Sequence, residues 1–287
     1  MNAIQTIVSG LLAGAVYVLV AMGFTLVFGV MRIVNFAHGE LVMLGMYGAL
    51  VLWTQWGVDP LLSLPLVALA VGAVGALMYR LAIRPILAAP HFNQMVMTFG
   101  LLILFQSLIL LAFGGDLRTV NVSYADLTII PWGIVISIPQ LIAGIIAASV
   151  SAATYIFLER STAGSAIRAC AQDQMGYALV GGSIERVRLG TFALSAALAG
   201  AAGAVITPFS VISPFVGIDI TIKAFLIVLV GGLGRVEGTL LAGVIFGMAE
   251  SVLNRLLPSG FATGVLYCAV IAVVIARPRG MFRGSVG

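Results

Sequence analysis

Residues 7–31 read IVSGLLAGAVYVLVAMGFTLVFGVM, twenty-five consecutive positions without a charged side chain, ended by Arg32. Crossing about 30 Å of hydrocarbon takes roughly 20 mostly apolar residues in a helix, so this stretch alone is long enough to span a bilayer. It has no basic residue before it and ends in no small-residue cleavage site, so it is expected to stay in the mature chain rather than to act as a cleaved signal. The pattern recurs at Leu41–Trp56, Leu61–Leu81, Met95–Phe113, Ile129–Leu158, Val187–Phe209, Ile218–Leu233, Thr239–Leu257 and Thr263–Ala276. Across all 287 residues the chain is 61% hydrophobic and 8% charged, where a soluble domain carries about 25% charge. Such a chain cannot cover a water-facing surface with polar groups. An ordinary soluble globule, a disordered chain and a disulfide scaffold are thereby excluded. The expected fold is all-α: one polytopic transmembrane helical bundle, residues 1–287, of about eight to nine spans.

Two runs, Leu41–Trp56 and Ile218–Leu233, have only sixteen residues. Ile129–Leu158 is long and holds Pro131 and Pro139. It reads either as one tilted span with an irregular entrance or as a re-entrant piece followed by a span. With nine spans and the N-terminus outside, Arg32, Arg80, Arg84, Arg160, Arg168, Arg186, Arg188, Arg235, Arg277, Arg279 and Arg283 fall on the cytoplasmic side. Arg118, Lys223 and Arg255 do not, and the outside loops carry Asp59, Asp116, Asp126 and Asp219. This is the positive-inside bias of a membrane protein, with a cytoplasmic C-terminus. The net charge of +4 therefore reads as topology and not as nucleic-acid binding.

Lys223 is the one lysine, and nothing around it forms the Gly-rich phosphate loop that ends in Lys-Ser/Thr. The chain is read as no enzyme, without cofactor or ATPase site of its own; any ATP is used by a partner. Cys170 and Cys268 lie far apart and indicate neither a disulfide nor a metal site.

Polar residues inside apolar runs carry the functional reading. Arg32, Asn35, His38 and Glu40 fall within nine positions. A charge at mid-bilayer costs about 2.5–3.5 kcal/mol on insertion scales, so these side chains face protein, water or the interface. They mark a pathway element, with unwound backbone buried in protein, or an interfacial turn capped by Asn35. Spacing of two on a turn argues against a His38/Glu40 metal site. Thr98 and Gln106 are placed to bond across helices or to touch a solute. Glu250 is the most isolated acid, without an evident partner. Between Ser161 and Arg188 a short capped helix carries Arg168, Ala169, Cys170 and Asp173, and Gly181-Gly182 stops the segment. It reads as a docking element or as a helix lying on lipid, with Arg186 and Arg188 facing headgroups. Gly231-Gly232-Leu-Gly234-Arg-Val-Glu-Gly238 reads as a tight turn between spans. A weak echo relates Arg32, Gly39-Glu40, Gly45 and Gly48 to Arg235, Glu237-Gly238, Gly243 and Gly247, which hints at duplicated halves. The Gly10/Gly14 and Gly243/Gly247 pairs and the ridge Ala196, Gly200, Ala204 read as helix contacts within the chain.

On Val34-Asn-Phe-Ala-His-Gly-Glu40, Thr98-Phe-Gly100 with Gln106, the Arg168-Ala-Cys170, Asp173, Gly181 loop and the Gly231–Gly238 turn, the whole chain resembles the permeases of branched-chain (hydrophobic) amino-acid ABC importers, of the LivH type. The resemblance implies a permease subunit of a bacterial inner membrane that moves its substrate by alternating access. It also implies a related second permease, two cytoplasmic ATPases and a periplasmic binding protein as partners. Carried over residue by residue, Asn35, His38, Glu40, Thr98 and Gln106 border the substrate path, and the Glu159–Arg188 loop, with Arg168, Ala169, Cys170, Asp173 and Gly181, couples to an ATPase. A urea or amide permease of the same type and a stand-alone secondary carrier are the competing readings; an intramembrane enzyme finds no supporting cluster.

Overall fold

A computed structural model describes residues 3–131 and 134–277; the topology markers Arg279 and Arg283 lie outside the described residues. The elements in order are α1 (Ala3–Met31), α2 (His38–Trp56), α3 (Pro60–Met78), a π-helical turn (Tyr79–Ile83) running into α4 (Arg84–Ile86), α5 (His91–Phe113), β1 (Thr128–Ile129), β2 (Ile136–Ser137), α6 (Ile138–Arg160), α7 (Thr162–Gln172), α8 (Gln174–Leu179), α9 (Ile184–Ile206), α10 (Val216–Gly231), α11 (Val236–Leu256) and α12 (Ser259–Ala276). Each of the nine apolar runs contains or becomes one long helix. Six of these, Ala3–Met31, Pro60–Ile86, His91–Phe113, Ile138–Arg160, Ile184–Phe209 and Val236–Leu256, are long and apolar enough to cross a membrane. The other long helices are α2, α10 and α12.

The proline-containing run resolves into two parts. β1 and β2 pair antiparallel, Thr128 opposite Ser137 and Ile129 opposite Ile136. α6 then begins at Ile138 with Pro139 in its first turn, where a missing N–H breaks no helical bond. A small hairpin thus precedes a single helix, and the first residues of the run are not part of a span.

Loops sort to two ends. At one, the Arg118 and Ile212 backbones exchange hydrogen bonds of 3.0 and 2.8 Å, and Tyr124 donates to Asp59 (2.9 Å). Burial and that carboxylate push the Tyr124 phenol well above its ordinary range. At the other end Gly29 of α1 lies against Gly234, and Arg84 pairs with Glu185 (2.9 Å). Alternating placement of successive loops at these ends is what antiparallel passes require.

Close packing rests on small residues. Gly10 and Gly14 of α1 lie directly on the backbone of Gly243, Val244, Gly247 and Met248 of α11, so the two glycine pairs meet each other within the chain. On α9, Ala196 faces Gly75 of α3, while Gly200 and Gly203 lie against α2 at Gly45, Val42 and Met46. Without a solvent-driven hydrophobic term between helices in lipid, such backbone approach supplies the dispersion that holds a bundle.

The connection between α1 and α2 positions the rest. α1 ends at Arg32, whose φ of 55° is left-handed, and residues 33–37 are not helical. Ile33, Asn35 and Ala37 are nonetheless buried. The His38 ring lies 3.0 Å from the Val20 carbonyl. Val20 precedes the end of α1 by eleven residues, about 16 Å along a helix. The chain therefore climbs back into the bundle before α2 starts.

Candidate functional site

Two polar clusters lie inside the bundle. The first surrounds the start of α2. The ascending backbone has its carbonyls met by threonines: Thr98 donates to Val34 (3.2 Å) and Thr221 to Phe36 (3.2 Å). Thr221 also accepts from the Gly39 N–H (2.8 Å). The Ala37 N–H is met by the Asn35 side chain (3.2 Å). Gln106 of α5 donates to Glu40 (3.1 Å), and Glu40 abuts Gly217 in the first turn of α10. The two short helices thus begin at the same depth, N-terminus beside N-terminus. His38, Glu40 and Thr98 are fully buried, Asn35 nearly so. Asn35 Nδ2, His38 Nδ1 and Glu40 Oε2 have no protein hydrogen-bond partner. Neither of the two large cavities is lined by these five residues. Residues 33–37 are non-helical backbone with Ile33, Asn35 and Ala37 buried in protein. Thr98 and Gln106 make the cross-helix bonds open to them.

The second cluster was not legible as a unit in the sequence. Lys223, midway along α10, pairs with Glu250 of α11 at 2.6 Å and donates to Tyr17 of α1 at 2.9 Å. Tyr17 in turn donates to Glu250. The side chains keep 22% and 11% of their exposure, because the triangle forms one wall of a cavity of about 550 Å³. Glu250, expected to lack a partner, therefore has two. A deep charge needs a counter-charge. The lone lysine in the Ile218–Leu233 run was the available signal.

At the opposite end, a cavity of about 530 Å³ lies between the end of α1, the end of α6, α7 and the turn after α10, with Arg32, Glu159, Arg168, Gln172, Arg235 and Glu237 on its walls. The turn depends on Gly232 and Gly234, at φ of 95° and 78°, which only glycine adopts without strain, and Gly231 packs directly on Gly238. Because Gly39-Glu40 sits deep beside α10 and Glu237-Gly238 at this turn, the sequence echo does not match equivalent depths.

Residues 162–179 stand beside that cavity. Ser161 caps α7 through the Gly164 N–H (2.8 Å), and Asp173 caps α8 through the Met175 N–H (2.9 Å). Ile167 and Cys170 are buried; burial pushes the Cys170 thiol up, with Arg188 opposing. Arg168 folds back onto the Leu158 and Glu159 carbonyls and pairs with Glu159 (3.3 Å). Gln174, missed in the sequence, fixes the segment: it donates to the Val30 carbonyl (2.6 Å) and accepts from Arg188 (2.6 Å). Arg188 therefore points inward and not to headgroups, while Arg186 is exposed. Ala169 is exposed, and Met175, Leu179 and Val180 present bare apolar side chains, 75–82% exposed. Gly181, at φ 83°, ends the segment.

Residues 6–276 match the family model for the permease component of the branched-chain amino acid transport system. The chain belongs to that family. This permease is 30% identical over 97% of its length to the high-affinity branched-chain amino acid transport permease BraD of Pseudomonas aeruginosa, covering 95% of that protein. It is 29% identical to the corresponding LivH of Escherichia coli, over 97% of this chain and 94% of the other. With the probable LivH of Methanocaldococcus jannaschii it shares 31% over 90% and 84%. No solved structure matches it. The permease is thus a helical, multi-pass membrane protein and a transport component of an ABC system with further components. Among its described residues no group of three or more His, Cys, Asp or Glu is placed to hold a metal.

Proposed function

We propose that the permease carries branched-chain or other hydrophobic amino acids inward across the bacterial inner membrane, with its C-terminus in the cytoplasm. In this reading it pairs with a related second permease, two ATPases that consume the ATP, and a periplasmic binding protein. The observation that carries the coupling part is the segment 162–179. Gln174 anchors it to α1 and α9, the neighbouring Met175, Leu179 and Val180 are bare, and it lies at the end where the arginines gather. Bare apolar side chains on a braced segment fit a groove in a soluble partner, and the bracing lets a push on them reach α1 and α9. Arg168, Cys170, Asp173 and Gly181 shape this segment; Ala169 is a contact point.

Alternating access requires an element with two packings that the ATPase states stabilise differently. The seam between the first turns of α2 and α10 supplies one. Asn35, His38 and Glu40 each leave a buried polar atom without a protein partner there, so a second packing can offer bonds that this one lacks. Asn35, His38, Glu40, Thr98 and Gln106 act in this scheme as the gate beside the path. The Gly231, Gly232, Gly234, Gly238 turn holds the far end of α10.

Ala169→Glu tests the coupling, because this side chain is exposed while Arg168 also holds the local fold. Complexes reconstituted with the variant should lose leucine uptake and substrate-stimulated ATP hydrolysis, with membrane insertion intact. Stimulated hydrolysis at the wild-type rate rejects the docking assignment.

A further inference from the structure

We propose that Lys223 and Glu250, with Tyr17, are the intramembrane site that receives the zwitterionic head of an α-amino acid; this rests on the import reading above. An ion pair taken into a bundle is often no more stabilising than apolar residues of the same volume. Ionisable groups in spans therefore mark pathways by default. Here the chain commits its one lysine to such a pair, and places it on a cavity wall instead of sealing it.

The cavity is reached from the end that carries the acidic loops. Ser9 in the second turn of α1, Gln140 at the start of α6, Ser210 after α9 and Asn254 near the end of α11 line it toward that side. Its volume, about 550 Å³, falls within the range of small-molecule sites, roughly 300–1,000 Å³. Leu12, Val16, Ile206, Val216 and Ile220 give an apolar wall for a branched side chain. Asp219, exposed in the first turn of α10, is the other charged group facing the cavity; the helix N-terminus offsets its charge, and it draws the substrate ammonium to the entrance.

The chemistry is an exchange of partners. A zwitterion brings one cation and one anion. Its carboxylate takes the Lys223 ammonium and its ammonium takes the Glu250 carboxylate. The Tyr17 hydroxyl, hydrogen-bonded to both ions in the empty pair, stays bonded to one of them. No charge is left unpaired before, during or after occupation. The empty pair closes on itself, so the substrate displaces an existing contact and is held weakly, as passage demands. A neutral urea or amide brings only dipoles to two separated ions, which places such substrates at a disadvantage.

The test uses the complete complex in proteoliposomes, with leucine as the probe. The double variant Lys223→Met/Glu250→Gln removes the pair without stranding a charge, so the complex should assemble. Leucine uptake should fall about tenfold or more, the scale of losing hydrogen bonds to charged groups. Tyr17→Phe, which keeps the ring, should raise the leucine KM several-fold. A double variant that takes up leucine like the wild type reduces the pair to a structural contact and overturns the site. Should the double variant fail to assemble, an unchanged KM in Tyr17→Phe overturns it equally. A wild-type complex that moves urea or acetamide but no zwitterionic amino acid overturns the import reading itself.

Discussion

The two intramembrane polar clusters have similar residues and opposite surroundings. Around Glu40 the side chains are sealed, their bonds go to backbone and a neighbouring glutamine, and three polar atoms go without protein partners. Around Lys223 the ions pair with one another and keep a share of their exposure on a cavity. The first arrangement suits an element that changes packing; the second suits one that exchanges a partner. Polarity within a span thus has two meanings, and the neighbours decide which applies.

The largest expected effect comes from breaking the ion pair on one side only. Glu250→Ala leaves Lys223 uncompensated and should cost about 3–5 kcal/mol, read as a lower temperature at which the detergent-solubilised complex loses monodispersity. The double neutral variant should recover most of it. If the two behave alike, Lys223 is well solvated from the cavity and the contrast with the sealed cluster sharpens. Next comes the seam. Gly39→Ala places a methyl group against the Gly217 carbonyl and the Thr221 hydroxyl and should cost about 1–3 kcal/mol as overpacking. Gly48→Ala, which meets only Val67 methyls at 3.6 Å, should be near neutral in the same assay. Equal tolerance of both would mean that the seam is loose in the resting state. The smallest effect is Thr98→Val. Removing one hydroxyl from the Val34 carbonyl should cost about 0.6 kcal/mol, the average for such bonds inside membranes, yet change transport rate more than stability if the seam is the moving part. A rate unchanged within error separates Thr98 from the gate.

Much of this was legible from one dimension. The nine apolar runs gave the helices because lipid admits only closed hydrogen-bonded backbone, and the glycine pairs announced close contact. The short length of Leu41–Trp56 left Arg32–Glu40 open to being a buried element or an interfacial turn, and residues 33–37 are buried non-helical chain. Arg188 was misread because a basic residue beginning a span ordinarily faces headgroups; Gln174, which turns it inward, has no distinguishing local pattern. The partners of Glu250 have no local signature either, since Lys223 is twenty-seven residues away and Tyr17 more than two hundred.

Composition and the lengths of the apolar runs by themselves determined that this chain is a membrane-spanning helical bundle and roughly where its helices run; those properties follow from transfer free energies summed residue by residue. Which polar residues meet, which are sealed and which line a cavity was decided only by the packing of α1, α10 and α11. A counter-charge or a wall is a relation between distant residues and has no signature in either of them alone.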